Sequence, residues 1–251
     1  MHIAYYKEYS HNLGRDMEFK VYGHAGKPIV VFPAQDGRFY DFENFGMVEA
    51  AARFIEEGKV QLFCVDSIDG ESWSQRGGDY NHRINQHERW FNYVNDELTM
   101  RFRQIIGELT GEFYIGKFFT TGCSMGAYHA ANFFLRRPDI YDGTIALSGL
   151  YHAGYFFPDY QNELIYKNSP NDYMRNMPWN HPFLEMYRNS SIIICVGQGK
   201  WENECIEDTI DLKNSLERLQ VDVWTDFWGY DVDHDWPWWK VQFPYFLDRI
   251  L

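Results

Sequence analysis

The chain has 251 residues, 45% hydrophobic and 24% charged, the balance of an ordinary globular protein. Its 23 Lys plus Arg against 36 Asp plus Glu give a net charge of −13, which repels phosphate backbones and anionic bilayers and so excludes nucleic acid and membrane surfaces as partners. No apolar run nears the ~18 residues of a membrane span, and the four cysteines form no disulfide framework and show neither a CxxC pair nor a Cys/His zinc spacing.

Met1-His2-Ile3-Ala4-Tyr5-Tyr6-Lys7-Glu8 carries charges where a signal peptide needs an apolar stretch, so a reduced, cytoplasmic chain is expected. Apolar runs bounded by turn residues then predict strands at Met17–Tyr22, Pro28–Phe32, Val60–Val65, Lys117–Thr121, Gly143–Leu147, Ser191–Val196 and Val221–Phe227. Runs such as Ile192-Ile193-Ile194-Cys195-Val196 lack alternation, as a parallel strand buried on both faces should. Between the runs, helices are predicted at Asn44–Glu57, Glu88–Gly107, Met125–Arg136, Glu202–Leu219 and Trp238–Ile250. The alternation makes the fold α/β, a three-layer sandwich around a mostly parallel sheet. Leu150–Tyr187, crowded with Tyr, Phe, Pro, Asn and Met, breaks the rhythm. A structureless loop of that length is improbable in a compact domain. It reads as an insertion with short helices, a partial lid over one end of a single domain spanning residues 1–251.

Gly122-Cys123-Ser124-Met125-Gly126 fits G-x-S-x-G between a predicted strand and a predicted helix. A serine hydroxyl is a weak nucleophile, and a tight strand-to-helix turn lifts Ser124 clear of the backbone while its glycines leave room for neighbouring chains. The Met125 amide then faces the space above Ser124, at the positive end of the helix.

The base must come from nine histidines. His234 follows the last strand-like run and precedes the terminal helix, which Asp235 would cap and Pro237 would open. That places it in a loop at the carboxyl edge of the sheet, where α/β proteins hold ligands. His129 lies in the helix after Ser124 and reads as a packing or capping residue. The acid that orients the base should follow Ser191–Val196. Glu202 is the candidate and Glu204 the reserve, and the order Ser124, Glu202, His234 is that of a hydrolase triad. In Val30-Val31-Phe32-Pro33-Ala34-Gln35, Pro33 has no N–H, which leaves the amide of Ala34 or Gln35 as the second oxyanion donor.

The elbow, the Pro33-Ala34-Gln35-Asp36 loop and His234-Asp235-Trp236-Pro237-Trp238-Trp239 resemble the esterase-D-like branch of the α/β-hydrolases, which includes feruloyl and acetyl esterases, S-formylglutathione hydrolases and antigen 85-type mycolyltransferases. The resemblance runs from about Val30 to Leu251, with the elbow and tail its specific parts. It implies an α/β-hydrolase fold, a serine triad and acyl transfer, usually to water, without a cofactor. The acid loop departs from the commoner Gly-x-x-Asp form.

Weaker motifs fail on their details. Asp231-Val232-Asp233-His234-Asp235 opens like a calcium loop, but Trp236 replaces the turn glycine and Gln242 the bidentate Glu, so no metal is expected. Gly197-Gln198-Gly199 lacks the third glycine of a dinucleotide fingerprint. Trp73, after another strand, and Trp236, beside His234, are candidate substrate walls. The reading is a serine esterase for a small acyl or sugar-linked ester, with an acyltransferase or a carbohydrate-binding module as alternatives. A homo-oligomer is compatible with the aromatic content. A protonated imidazole cannot accept the serine proton, so activity is expected to fall on the acid side of the ordinary histidine pKa, ~6.5.

Overall fold

The computed structural model describes residues 1–159 and 162–251. Eight strands form one sheet: β1 (Ile3–Ser10), β2 (Arg15–Tyr22), β3 (Lys27–Phe32), β4 (Val60–Val65), β5 (Phe118–Cys123), β6 (Tyr141–Leu147), β7 (Ser191–Val196) and β8 (Trp224–Phe227). Their order across it is β1-β2-β4-β3-β5-β6-β7-β8, antiparallel at the β1/β2 and β2/β4 pairings and parallel from β4 onward. This is the α/β-hydrolase architecture.

Successive residues of the central strands serve opposite faces. Val30 and Phe32 pack with α5 (Thr99–Thr110), α6 (Met125–Arg136) and α10 (Asn203–Arg218). Ile29 and Val31 pack instead with the short helices α1 (Asp41–Asn44), α2 (Met47–Ala50) and α3 (Ala52–Glu56) and with α11 (Trp236–Ile250). Each fully buried side chain of this kind contributes roughly 1.5–3 kcal/mol.

Departures from the predicted elements have local causes. Strand β1 was not expected: as an edge strand it exposes Ile3, Tyr5, Lys7 and Tyr9 and half-buries the positions between them, so it shows no continuous apolar run. The helix predicted at 44–57 is broken into short pieces: Gly46, at φ +82°, separates α1 from α2, and Ala51, at φ −93° and ψ 1°, separates α2 from α3. The helix predicted at 88–107 begins earlier, at α4 (Tyr80–Asn92), where the Asp79 side chain accepts the His82 N–H at 2.7 Å. It continues through a π-helical stretch, Tyr93–Leu98, into α5. Strand β8 starts at Trp224 rather than Val221, since the Val221 N–H still bonds the Leu216 carbonyl at the exit of α10. Between β6 and β7, the segment read as an insertion carries α7 (Glu163–Lys167), α8 (Pro170–Asn176) and α9 (Leu184–Arg188), and two of its residues, Tyr160 and Gln161, lie outside the described residues.

The parallel register ends four strands nearly in step. Phe32 pairs with Gly122, Cys123 with Leu147, and Leu147 with Cys195. The Ser124 N–H continues the ladder to the Leu147 carbonyl at 2.9 Å, and the Ser148 N–H to that of Cys195 at 2.7 Å. The segments that follow β3, β5, β6 and β7 therefore emerge at one edge.

Candidate active site

Ser124 sits between β5 and α6 at φ 57° and ψ −122°, a conformation that costs a non-glycine residue of order 1–3 kcal/mol and persists only where its surroundings fix it. The fixing comes from Gly126. A Cβ there would overlap the carbonyls of Phe32 and Pro33, so a side chain at 126 would push the helix off the end of β3. Cys123, the neighbouring thiol, is buried on the far face among Cys195 and Ile145, and burial pushes its pKa up. Its thiol does not line the cavity on which Ser124 opens.

Ser124 opens on a cavity of about 380 Å³ lined by Gln35, Met125, Tyr155, Trp201, Cys205 and His234, among others. Three elements bring the polar groups there. The loop after β3 turns back on itself, with the Gly37 N–H on the Ala34 carbonyl at 2.8 Å, and presents Gln35 rather than Ala34 to the cavity. Met125 opens α6 beneath Ser124. His234 arrives from the loop before α11, where the Asp235 carboxylate caps the Trp236 N–H at 2.7 Å and Pro237 occupies the first turn.

The loops carrying Glu202 and His234 are laced together. The Gly199 N–H bonds the Val232 carbonyl at 2.8 Å, the Lys200 N–H the Asp233 carboxylate at 2.8 Å, and the His234 N–H the Lys200 carbonyl at 3.0 Å. Gly197 and Gly199 have to be glycines here, because a Cβ on either would strike the Val232 carbonyl. The pair that imitates a dinucleotide fingerprint thus lets two loops touch, and two acids of the calcium-like run, Asp233 and Asp235, are spent on backbone N–H groups.

His234 Nδ1 lies 3.1 Å from Glu202 Oε2. Glu202 is fully buried, and its Oε1 accepts the Ser148 hydroxyl at 2.6 Å and the Gly197 N–H at 3.3 Å. Ser148 in turn accepts the Trp239 indole N–H at 3.0 Å, and the Trp239 ring stands edge-on to His234 at 5.1 Å. The carboxylate is thereby satisfied on one oxygen and leaves the other for the imidazole. Glu204, the reserve acid, is exposed and lines the cavity rather than facing Nδ1.

Both tryptophans read as substrate walls stand elsewhere. Trp73 is 1% exposed and packs on Tyr128, Phe156 and Phe157, its N–H donated to His87 Nδ1 at 2.9 Å. It lines an adjoining cavity of about 350 Å³ that shares Arg76, Tyr155 and Phe156 with the one beside Ser124. Trp236 stacks flat on Phe45, centroids 4.4 Å apart, and does not line the cavity. The sequence reading did not single out Arg76, Leu150, Tyr155, Phe156, Trp201 or Cys205 as lining residues. Trp201 is 81% exposed at φ 68°, a tryptophan held out at the rim by strained backbone. Only the Gly-Gln-Gly-Lys turn before it hinted at an irregular loop.

Beneath the site lies a second polar cluster. His129 Nε2 meets Asp69 Oδ1 at 2.9 Å with both residues buried, and His87, fully buried, faces Asn168 Oδ1 at 3.0 Å. Because the Trp73 N–H occupies His87 Nδ1, the imidazole carries its proton on Nε2. Burial, with the neighbouring His129 and Arg136, holds the His87 pKa well below the ordinary value.

No helix among the described residues is long and apolar enough to cross a membrane. No curated protein is significantly similar to the chain in sequence. Solved structures share the fold across nearly its whole length. A ferulic acid esterase superposes with a TM-score of 0.73 at 14% identity, covering 100% of this chain and 99% of its own. MPT51 of Mycobacterium tuberculosis does so at 0.68 and 13%, covering 100% and 98%, and an S-formylglutathione hydrolase of Staphylococcus aureus at 0.64 and 15%, covering 99% and 96%. The model of the Esterase family, described as "Putative esterase", matches residues 10–250. With a G-x-S-x-G elbow opening on a cavity beside a histidine–glutamate pair, the chain belongs to that esterase family and is a carboxylic-ester hydrolase.

Proposed function

We propose that the protein hydrolyses a small acyl or sugar-linked ester through an acyl-enzyme on Ser124. The observation that carries this reading is one cavity holding both Ser124 and a His234 whose Nδ1 is bonded to the buried Glu202. That bond assigns the imidazole proton to Nδ1 and leaves the Nε2 lone pair as the base. Ser124 Oγ attacks the carbonyl carbon as Nε2 takes its proton, and the tetrahedral oxyanion is held by the amides of Met125 and Gln35. The C–O bond to the alcohol then breaks, with the leaving oxygen taking the proton from Nε2. Water repeats the sequence in reverse and frees the acid. Glu202, with one oxygen already satisfied by Ser148 and Gly197, stabilises the imidazolium in both halves.

In this reading residues 1–251 are one domain and residues 150–187 its partial lid, contributing Leu150, Tyr155 and Phe156 to the cavity wall. Trp201 supplies an aromatic face at the rim for a ring on the substrate. A fluorophosphonate probe tests the proposal. Folded protein should label stoichiometrically at Ser124 and Ser124→Ala should not label. Absence of labelling in the folded wild-type chain would favour a binding module instead.

A further inference from the structure

The corner that holds Glu202 and His234 contains a third group the proposed reaction does not use. Cys205, one turn into α10, brings its Sγ to 3.9 Å from His234 Nδ1, while Glu202 Oε2 lies 3.1 Å from the same nitrogen. One donor atom from each residue lies within 4.8 Å of the other two. A tetrahedral zinc ion, with bonds of ~2.3 Å to sulfur and ~2.0 Å to nitrogen and oxygen, sets its N and S ligands about 3.5 Å apart and its N and O ligands about 3.3 Å apart. The two separations in the protein differ from these by a few tenths of an ångström, within the reach of small side-chain rotations. The donor set is also chemically matched: imidazole, carboxylate and thiol are the zinc ligands, whereas calcium or magnesium would require oxygens.

Access and support fit as well. Cys205 and His234 both line the cavity, so an ion can enter from it and keep a fourth position facing it. Glu202 forms the closed side, its Oε1 already held by Ser148 and Gly197 and its Oε2 free to turn from the imidazole to a cation. The thiol's contact with the Ser148 carbonyl, at 3.5 Å, is a weak bond to give up, and its other neighbours, His234 and Glu202, are the remaining ligands of the site.

We propose that Glu202, Cys205 and His234 form an inhibitory site for a borderline-soft divalent cation of the zinc type. On binding, the Cys205 thiol gives its proton to solvent and the thiolate bonds the ion. The imidazole proton leaves Nδ1 for Nε2, and the Nδ1 lone pair bonds the ion alongside Glu202 Oε2. The nitrogen that must accept the Ser124 proton is then occupied, so a cation at this position switches the base off without touching the nucleophile. The inhibitory consequence rests on the proposed triad, whereas binding does not.

The test is a calorimetric Zn²⁺ titration of the wild-type chain, Cys205→Ser, Cys205→Ala and Ser124→Ala, with Co²⁺ absorption as a second readout independent of turnover. The wild type and Ser124→Ala should bind one ion per chain with proton release and show a thiolate-to-cobalt charge-transfer band. Both Cys205 variants should lose that band and bind at least about tenfold more weakly. Ester hydrolysis by the wild type should fall with the same midpoint as binding and return on adding a chelator. The site is overturned if the wild type takes up no Zn²⁺, or if folded Cys205 variants bind as well as it does. Binding that leaves hydrolysis intact overturns the inhibitory role. Normal ion binding by a chain that labels with no fluorophosphonate would uphold the site and remove the esterase mechanism alone.

Discussion

The His234–Glu202 and His129–Asp69 pairs are made of the same two groups at nearly the same separation, 3.1 and 2.9 Å. They differ in what surrounds them. Glu202 has its second oxygen satisfied by Ser148 and Gly197, and the far nitrogen of its histidine belongs to a ring that lines a cavity with Ser124. Asp69 Oδ2 and His129 Nδ1 have no hydrogen-bond partner among the described residues, and His129 is sealed among Phe32, Trp73 and Trp90. On the proposed mechanism, a histidine–carboxylate bond is not in itself a catalytic device. The imidazole also needs a way out through its other nitrogen, and the acid needs enough donors to stay where it is.

Activity measurements can break this distinction. Ser124→Ala should lower turnover by ~10⁴ or more, and Glu202→Gln, which leaves the shape and spoils the tautomer, should approach that loss. Retention of most activity in either would remove the contrast with the buried pair. Asp69→Ala should behave oppositely. It strips His129 Nε2 of its partner inside the core, so the cost is one of stability, about 2 kcal/mol or roughly 4–8 °C in Tm, with kcat/KM little changed in the folded fraction. A catalytic loss near that of Glu202→Gln would show that the inner pair takes part in the reaction.

The smallest effect concerns pH. His87 is buried as the neutral ring, first because of desolvation and then because of His129 and Arg136, so its folded pKa lies below that of the unfolded chain. Between those two values the unfolded state binds more protons, so stability is complete above the ordinary histidine value of ~6.5 and declines as pH falls beneath it. Thermal denaturation from pH 7.5 to 5 should show that decline, and His87→Gln, which can still accept from Trp73 and donate to Asn168, should flatten it. An unchanged slope would mean that other groups control acid unfolding.

Much of this arrangement was legible from residue order. The helix Met125–Arg136 and the strand Ser191–Val196 match their predicted bounds, because a strong apolar pattern there meets clear stop signals. Glu202 and His234 were expected near one another because each follows a strand at the carboxyl edge, a position that topology fixes, and their side chains meet there at 3.1 Å. Depth within that edge is not fixed by topology, so residue order alone does not tell that Trp73 borders the adjoining cavity and not the one on which Ser124 opens. The first turns of α4 read as loop because Arg83 and His87 look like surface residues. Both are buried, Arg83 bonding the carbonyls of Ser72, Trp73 and Phe156. Arg76 and Trp201 carry no periodic signal, and the third donor beside Glu202 and His234 becomes visible only once the loops at 200 and 234 are joined.

The edge-on contact between Trp239 and His234 has an optical consequence. Charged imidazolium drains the excited state of a neighbouring indole more effectively than the neutral ring does, so Trp239 reports on its partner's proton through emitted light. The difference in emission between the wild type and Trp239→Phe, followed across a pH series, would read the charge of that single ring with no substrate present. A difference that does not vary with pH would mean that the two rings part company in solution.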